Sequence, residues 1–179
     1  MKTDTAILIA AVHFAADKHR DQRRKDKAAT PYINHPVSLA HILVDEGGIE
    51  DSDVLCAALL HDTIEDTETT AEDLVAHFGE RITSIVLEVT DDTSQHFTVR
   101  KQAQIDHAPH MSPEAKLVKL ADKISNLRDL LAFPPADWTP ERKQAYMDFS
   151  VAVVDGLRGT NAALEVAFDA LVARRMEIA

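Results

Sequence analysis

Apolar residues recur at helical spacing along this chain, in blocks separated by short polar or Gly/Pro-containing breaks. A first helix is predicted from about Thr5 to His19, with Ile7, Ile9, Ala10, Ala11, Phe14 and Ala15 on its apolar side. A basic stretch, HRDQRRKDK, then leads to TPYINHP, where Pro36 suits the first position of a second helix that ends at Gly47-Gly48. Asp51 or Ser52 caps a third helix whose Val54–Leu60 run has no polar face at all. Thr69 or Thr70 with Glu72 and Asp73 opens a short helix, AEDLVAHF, stopped by Gly79. ERITSIVLEVT follows with Ile82, Ile85, Val86 and Val89 on one face, and residues 91–98, DDTSQHFT, interrupt the pattern before a shorter helix ahead of Pro109. Ser112-Pro113-Glu114 and Thr139-Pro140-Glu141 each announce a later helix, AFPPADW separates these two, and the last helix runs from Thr160-Asn161 to about Arg175.

Composition agrees with that reading. Ala, Leu, Val, Glu and Asp dominate, and with only 5 Gly and 7 Pro in 179 residues the expected fold is all-α, in one domain spanning 1–179. No apolar run approaches the roughly 20 residues that cross a bilayer, and the N-terminus has no signal-peptide pattern. A single cysteine, Cys56, excludes an internal disulfide and a Cys-rich zinc site, so the expected location is cytoplasmic. A net charge of −11 argues against nucleic acid or an anionic membrane as partner. Oligomeric state is not legible.

The unusual feature is AALLHDTIEDTETT, residues 57–70. It sets His61 and Asp62 at the end of the most apolar segment, with Glu65 and Asp66 one turn later, although an unpaired buried charge is costly. A bound divalent cation removes the difficulty, and a solvated helix end is the alternative. Further donors stand in similar surroundings. His35 precedes the second helix, and Asp122 interrupts the apolar series Leu117, Leu120, Ala121, Ile124 and Leu127, with Asn126 one turn on. By itself, Asp122 reads more simply as a surface partner of Lys119 or Lys123. Taken as a set, two imidazoles and two carboxylates suit Mn²⁺, Fe²⁺ or Zn²⁺, with positions left for water and a substrate oxygen.

The order His…His-Asp…Asp, together with RRKDKAATPYINHP, AALLHDTIEDTETT, LEVTDD and AKLVKLADKISNLRDL, resembles the HD-domain metal phosphohydrolases. Within them it is similar to the hydrolase domain of the RelA/SpoT alarmone enzymes, especially the small stand-alone forms, over nearly the whole chain. The resemblance implies an all-α helical bundle of about eight to ten helices with a metal site in a central cleft, and no synthetase or regulatory domain. It implies metal ligands at His35, His61, Asp62 and Asp122, with one Mn²⁺ per chain, and a catalytic acidic pair at Glu65 and Asp66. Substrate contacts follow for Arg24, Lys25 and Asn126, and for Arg142 and Tyr146 on the far side of the pocket. The implied reaction converts guanosine 3′,5′-bis(diphosphate) to GDP and pyrophosphate. Rival readings are a 2′-phosphatase acting on NADPH, an adenosine alarmone hydrolase, and a metal-bound nucleotide sensor without turnover. Two departures bear on phosphate preference: Lys123 stands where the long enzymes carry Arg, and the 91–98 loop has no cation before Arg100 and Lys101. His13, His41, His77, His96, His107, His110, Cys56 and Trp138 are read as structural.

Overall fold

The structure, a computed structural model, describes residues 3–178. Ten α-helices follow in order: α1 (Asp4–Lys18), α2 (Asn34–His41), α3 (Ser52–Leu60), α4 (Thr63–Asp66), α5 (Ala71–Phe78), α6 (Glu80–Val89), α7 (Phe97–His107), α8 (Pro113–Ala132), α9 (Pro140–Asp155) and α10 (Ala162–Ala173). There is no strand among the described residues, only an isolated bridge between Arg23 and Pro31 in the basic loop. None of these helices is long and apolar enough to cross a membrane.

The predicted caps do their work locally. Asp51 accepts the amide of Asp53, and Thr70 and Asp73 form a reciprocal capping box. Ser112 and Thr139 each cap a helix whose first residue is proline, where the missing N–H costs nothing. At φ 86°, Gly79 adopts a backbone conformation that L side chains rarely take, so it both stops α5 and starts α6.

Two expectations are corrected. α2 begins at Asn34, not Pro36, because the amides of Asn34 and His35 turn back onto Pro31 and Tyr32. Proline is still within the first turn, where amides have no intrahelical acceptor, so it does not bar the earlier start. The same helix runs on as a π-helical stretch, Ile42–Glu46, before Gly47. The polar interruption is also shorter than expected, since α7 already includes Phe97 and Thr98, with His96 as its cap.

α3 is the centre of the bundle and packs on α1, α2, α6 and α8. All seven residues from Val54 to Leu60 are buried, which explains why that segment has no polar face. Each such leucine stabilises the fold by roughly 1.5–3 kcal/mol. α8 is the second axis and touches α2, α3, α6, α9 and α10. The C-terminal end of α3 therefore meets the middle of α8 inside the molecule.

Candidate metal centre

His61 caps the C-terminus of α3 and Asp62 the N-terminus of α4, so the break between the two helices is where both side chains turn inward. His35 comes from the first turn of α2 and Asp122 from the middle of α8. One ligand atom each from His35, His61 and Asp62 lies within 4.8 Å of the others. Asp122 adjoins that group, with its Oδ1 3.2 Å from His35 Nε2.

The hydrogen bonds orient these donors. His61 Nδ1 lies 2.9 Å from the carbonyl oxygen of Ala58, which only accepts, so Nδ1 carries the proton and donates it there. Nε2 then faces the cluster. It approaches Asp62 Oδ2 to 2.8 Å without hydrogen-bond alignment and is a buried nitrogen with no partner. His35 Nδ1 contacts the Ser125 hydroxyl at 3.1 Å, leaving its Nε2 toward Asp122. Tyr32 donates its hydroxyl to Asp62, and Asn126 donates to Asp122 Oδ1 at 2.6 Å. An orphaned imidazole nitrogen among converging carboxylates fits a divalent cation, and outer partners of this kind are what hold metal ligands in place.

Electrostatics set a competition between proton and cation at these donors. Burial acts to lower His61, but the Asp62 carboxylate and then Asp122 outweigh it and raise the imidazole above its ordinary range, so a cation here takes the place of the Nε2 proton. Burial holds His35 below the ordinary imidazole range, hence neutral and able to bind metal. Burial acts to raise Asp62, but His61 and then His35 outweigh it and keep the carboxyl ionised. Asp122 is likewise held well below the usual range, burial being outweighed by Lys123 and His35. Glu65 differs: burial pushes it up to about 7, helped by the charges of Asp91, Asp62 and Asp66 and opposed by the Asp91 amide that it accepts at 3.1 Å.

Two joined cavities flank the cluster. The smaller, about 240 Å³, is lined by His61, Asp62, Glu65 and Asp122 together with several cationic side chains of α7 and α8. The larger, about 620 Å³, carries Lys25, Phe133 and Trp138. Arg24, Tyr32, His35, Asp66, Asn126 and Tyr146 line both. Arg24 bonds Asp129 at 2.6 Å and Asn126 at 2.9 Å, with its guanidinium over the Tyr32 ring. Asp66 accepts from Gln22 at 2.8 Å.

The structure thus brings ten of the eleven sequence-predicted residues to these cavities. Arg142 lines neither; it is exposed and stacks on Trp138 at 4.5 Å. Trp138 in turn is a wall residue of the larger cavity rather than only a packing anchor. Lys119 and Lys123, expected as surface partners of Asp122, are buried. Lys123 lies 3.5 Å from Asp122, and Lys119 donates to the carbonyl of Val89. Sequence reasoning missed Gln22, Tyr32, Ser125 and Asp129. Ser125 and Asp129 had a signal, lying three and seven residues beyond Asp122 on one helical face; Gln22 and Tyr32 had none.

A family model described as HD domain matches residues 11–155, which include every one of the predicted site residues. The chain belongs to the HD-domain family. Among HD-domain relatives it is 54% identical over 169 residues to the guanosine-3′,5′-bis(diphosphate) 3′-pyrophosphohydrolase MESH1 of Xenopus tropicalis, covering 94% of each chain. It is 52% identical over 175 residues to the protein of the same name from Homo sapiens, covering 98% of each. A solved structure of a metazoan orthologue of SpoT that hydrolyses ppGpp superposes with a TM-score of 0.94, at 46% identity and 98% coverage of both chains. A protein of Listeria monocytogenes gives a TM-score of 0.67 at 27% identity, covering 81% of this chain and 97% of its own.

Proposed function

We propose that this HD-domain protein hydrolyses guanosine 3′,5′-bis(diphosphate), and its 5′-triphosphate analogue, to GDP or GTP and pyrophosphate. The observation that carries the reading is the carboxylate-imidazole cluster set between two joined cavities, one large enough for a nucleoside and one small and cationic-walled. The names and 52–54% identity of the relatives support the choice of substrate. Residues 1–179 are read as one hydrolase domain acting in the cytoplasm, in keeping with a single buried thiol, Cys56, whose pKa burial pushes up to about 12.

His35, His61, Asp62 and Asp122 would hold the ion; these donors suit Mn²⁺, Fe²⁺ or Zn²⁺, and the resemblance to the alarmone hydrolases favours Mn²⁺. A divalent cation at such a set supplies a more acidic water and a polarised phosphoryl oxygen. The remaining steps belong to the chain. The purine and ribose occupy the larger cavity, with Arg24 against the base, Asn126 and Tyr146 along the sugar, and Lys25 toward the 5′-phosphates; Arg142 acts on them only through Trp138. Water attacks the phosphorus attached to O3′, and the Glu65 carboxylate, lining the same small cavity, takes its proton. Asp66, fixed by Gln22, orients that water. The P–O3′ bond breaks, its electron pair stays on O3′, the proton held by Glu65 passes to O3′, and pyrophosphate leaves with the water's oxygen.

Product analysis tests this reading. Metal-stripped protein, with Mn²⁺ restored or withheld, is given guanosine 3′,5′-bis(diphosphate) beside an Asp62→Ala sample. Metal-dependent release of GDP and pyrophosphate, absent from the variant, is the expected result. Intact alarmone in every tube, with turnover of NADPH or an adenosine alarmone instead, would overturn it.

A further inference from the structure

The small cavity has a wall that neither the ligand set nor the acidic pair explains. Arg100, Lys101, Lys119 and Lys123 all line it, in a chain whose net charge is −11. Two of these cations have acidic neighbours: Arg100 lies 3.6 Å from Glu65, and Lys123 3.5 Å from Asp122. Among the described residues, neither Lys101 nor Lys119 has a carboxylate within ion-pair distance, and the one hydrogen bond found for Lys119 goes to the Val89 carbonyl.

Lys101 is the informative one. Its ammonium sits 4.7 Å from the centre of the Phe97 ring, 4.6 Å from Phe149 and 5.9 Å from Tyr146. Aromatic faces hold the cation in place but accept no strong hydrogen bond, so its N–H groups remain available. Lys123 Nζ lies 4.9 Å from the same Phe149 ring, so two ammonium groups converge on one ring beside the metal donors. Burial, then the charges of Lys123 and Arg142, pulls Lys101 below the ordinary lysine range, as expected of a cation crowded by cations. Such an arrangement lowers stability unless an anion joins it.

We propose that Lys101 and Lys123 form the subsite for the terminal phosphoryl group of a nucleotide diphosphate ester, and hence for the departing pyrophosphate. The inference rests on the hydrolase reading above and deepens it: a preference for diphosphate over monophosphate esters resides in α7 and α8, across the cluster from the nucleoside cavity. With the reacting phosphorus at the metal donors and the nucleoside in the larger cavity, the terminal phosphate points into the smaller one. Lys123, beside Asp122, and Lys101, on the same Phe149 ring, then face the terminal phosphate, which a monophosphate ester lacks.

The test is calorimetric titration of metal-loaded protein with inorganic pyrophosphate and, separately, orthophosphate, with protein-bound metal measured before and after. Loss of one charge-assisted contact in Lys101→Gln is expected to weaken pyrophosphate about tenfold or more, and Lys101→Arg to restore most of that, while orthophosphate changes less than about threefold. Turnover of the 3′-diphosphate should slow, with KM rising and kcat falling, and with inhibition by GDP unchanged. Equal pyrophosphate affinity in wild type and Lys101→Gln, or a lowered melting temperature as the only effect, would overturn the proposal and leave Lys101 a packing residue. If wild-type protein binds pyrophosphate through Lys101 yet leaves the alarmone intact, the hydrolase reading fails and the subsite stands.

Discussion

α3, through its C-cap His61, and α7 both supply the small cavity, and they are built on opposite principles. In α3 every residue from Val54 to Leu60 is buried, whereas α7 has no buried residue and leaves Phe97 and Val99 about half exposed. The first delivers His61 and Asp62 into fixed positions, held by carbonyl and tyrosine contacts. The second delivers Arg100, Lys101 and Gln104 on a helix that little packing restrains. A metal set needs donors placed to a fraction of an ångström, and a close-packed core provides that. Recognition of a flexible polyphosphate needs charge and reach more than rigidity. On the proposed reading, the metal donors and the phosphate-facing cations of one cavity are assigned to elements packed to different degrees.

The strongest way to break this contrast is Asp62→Ala. If α3 carries the chemistry, turnover falls by at least about 10³-fold and bound metal is lost, measured by kinetics and metal analysis. Glu65→Gln comes next, with an expected fall of about 10²–10⁴-fold while metal is retained. Comparable turnover in either variant would dissociate the cluster from the reaction.

Leu60→Ala removes a fully buried side chain one residue before His61 and should cost about 2–5 kcal/mol of stability in denaturant titration. Val99→Ala, at 52% exposure on α7, should change it by less than about 0.5 kcal/mol. Equal losses at the two positions would remove the distinction between a rigid and a loose element.

A pH experiment sharpens the same comparison. Glu65 has a folded pKa of about 7, above the ordinary glutamate value, so the folded state binds its proton more tightly than the unfolded state does. In metal-free protein its contribution to stability is therefore greatest at low pH and diminishes as pH rises from about 4.5 through 7. Thermal melts of wild type and Glu65→Gln at several pH values should converge near pH 5. They should separate by a few degrees near pH 8, the variant being the more stable. Parallel curves would contradict the burial argument.

Much of this was legible in the chain. The caps at Asp51, Thr70, Ser112, Thr139 and Asn161 mark helix starts because side-chain bonds to the next turn are local chemistry. The all-apolar Val54–Leu60 run identified the central helix, and the misplaced charges after it identified the cluster. α2 began earlier than expected because a turn through Pro31 and Tyr32, invisible to a proline rule, continued into the helix.

Other features depended on neighbours distant in sequence. Lys119, Lys123 and Asp122 look from the chain alone like a surface ion pair, and only the packing of α8 under α3 and α6 takes the two lysines out of water. The pairing of Arg24 with Asp129 spans 105 positions, and the Tyr32 hydroxyl reaches Asp62 across 30. Composition, helical period and cap spacing determined an all-α chain with ionisable groups driven into its core, since those are properties of adjacent residues. Which nitrogen of His61 was left bare, which cations faced the cluster and which side chain stayed outside it were decided by tertiary structure, because orientation and desolvation are set by whatever packs against a group.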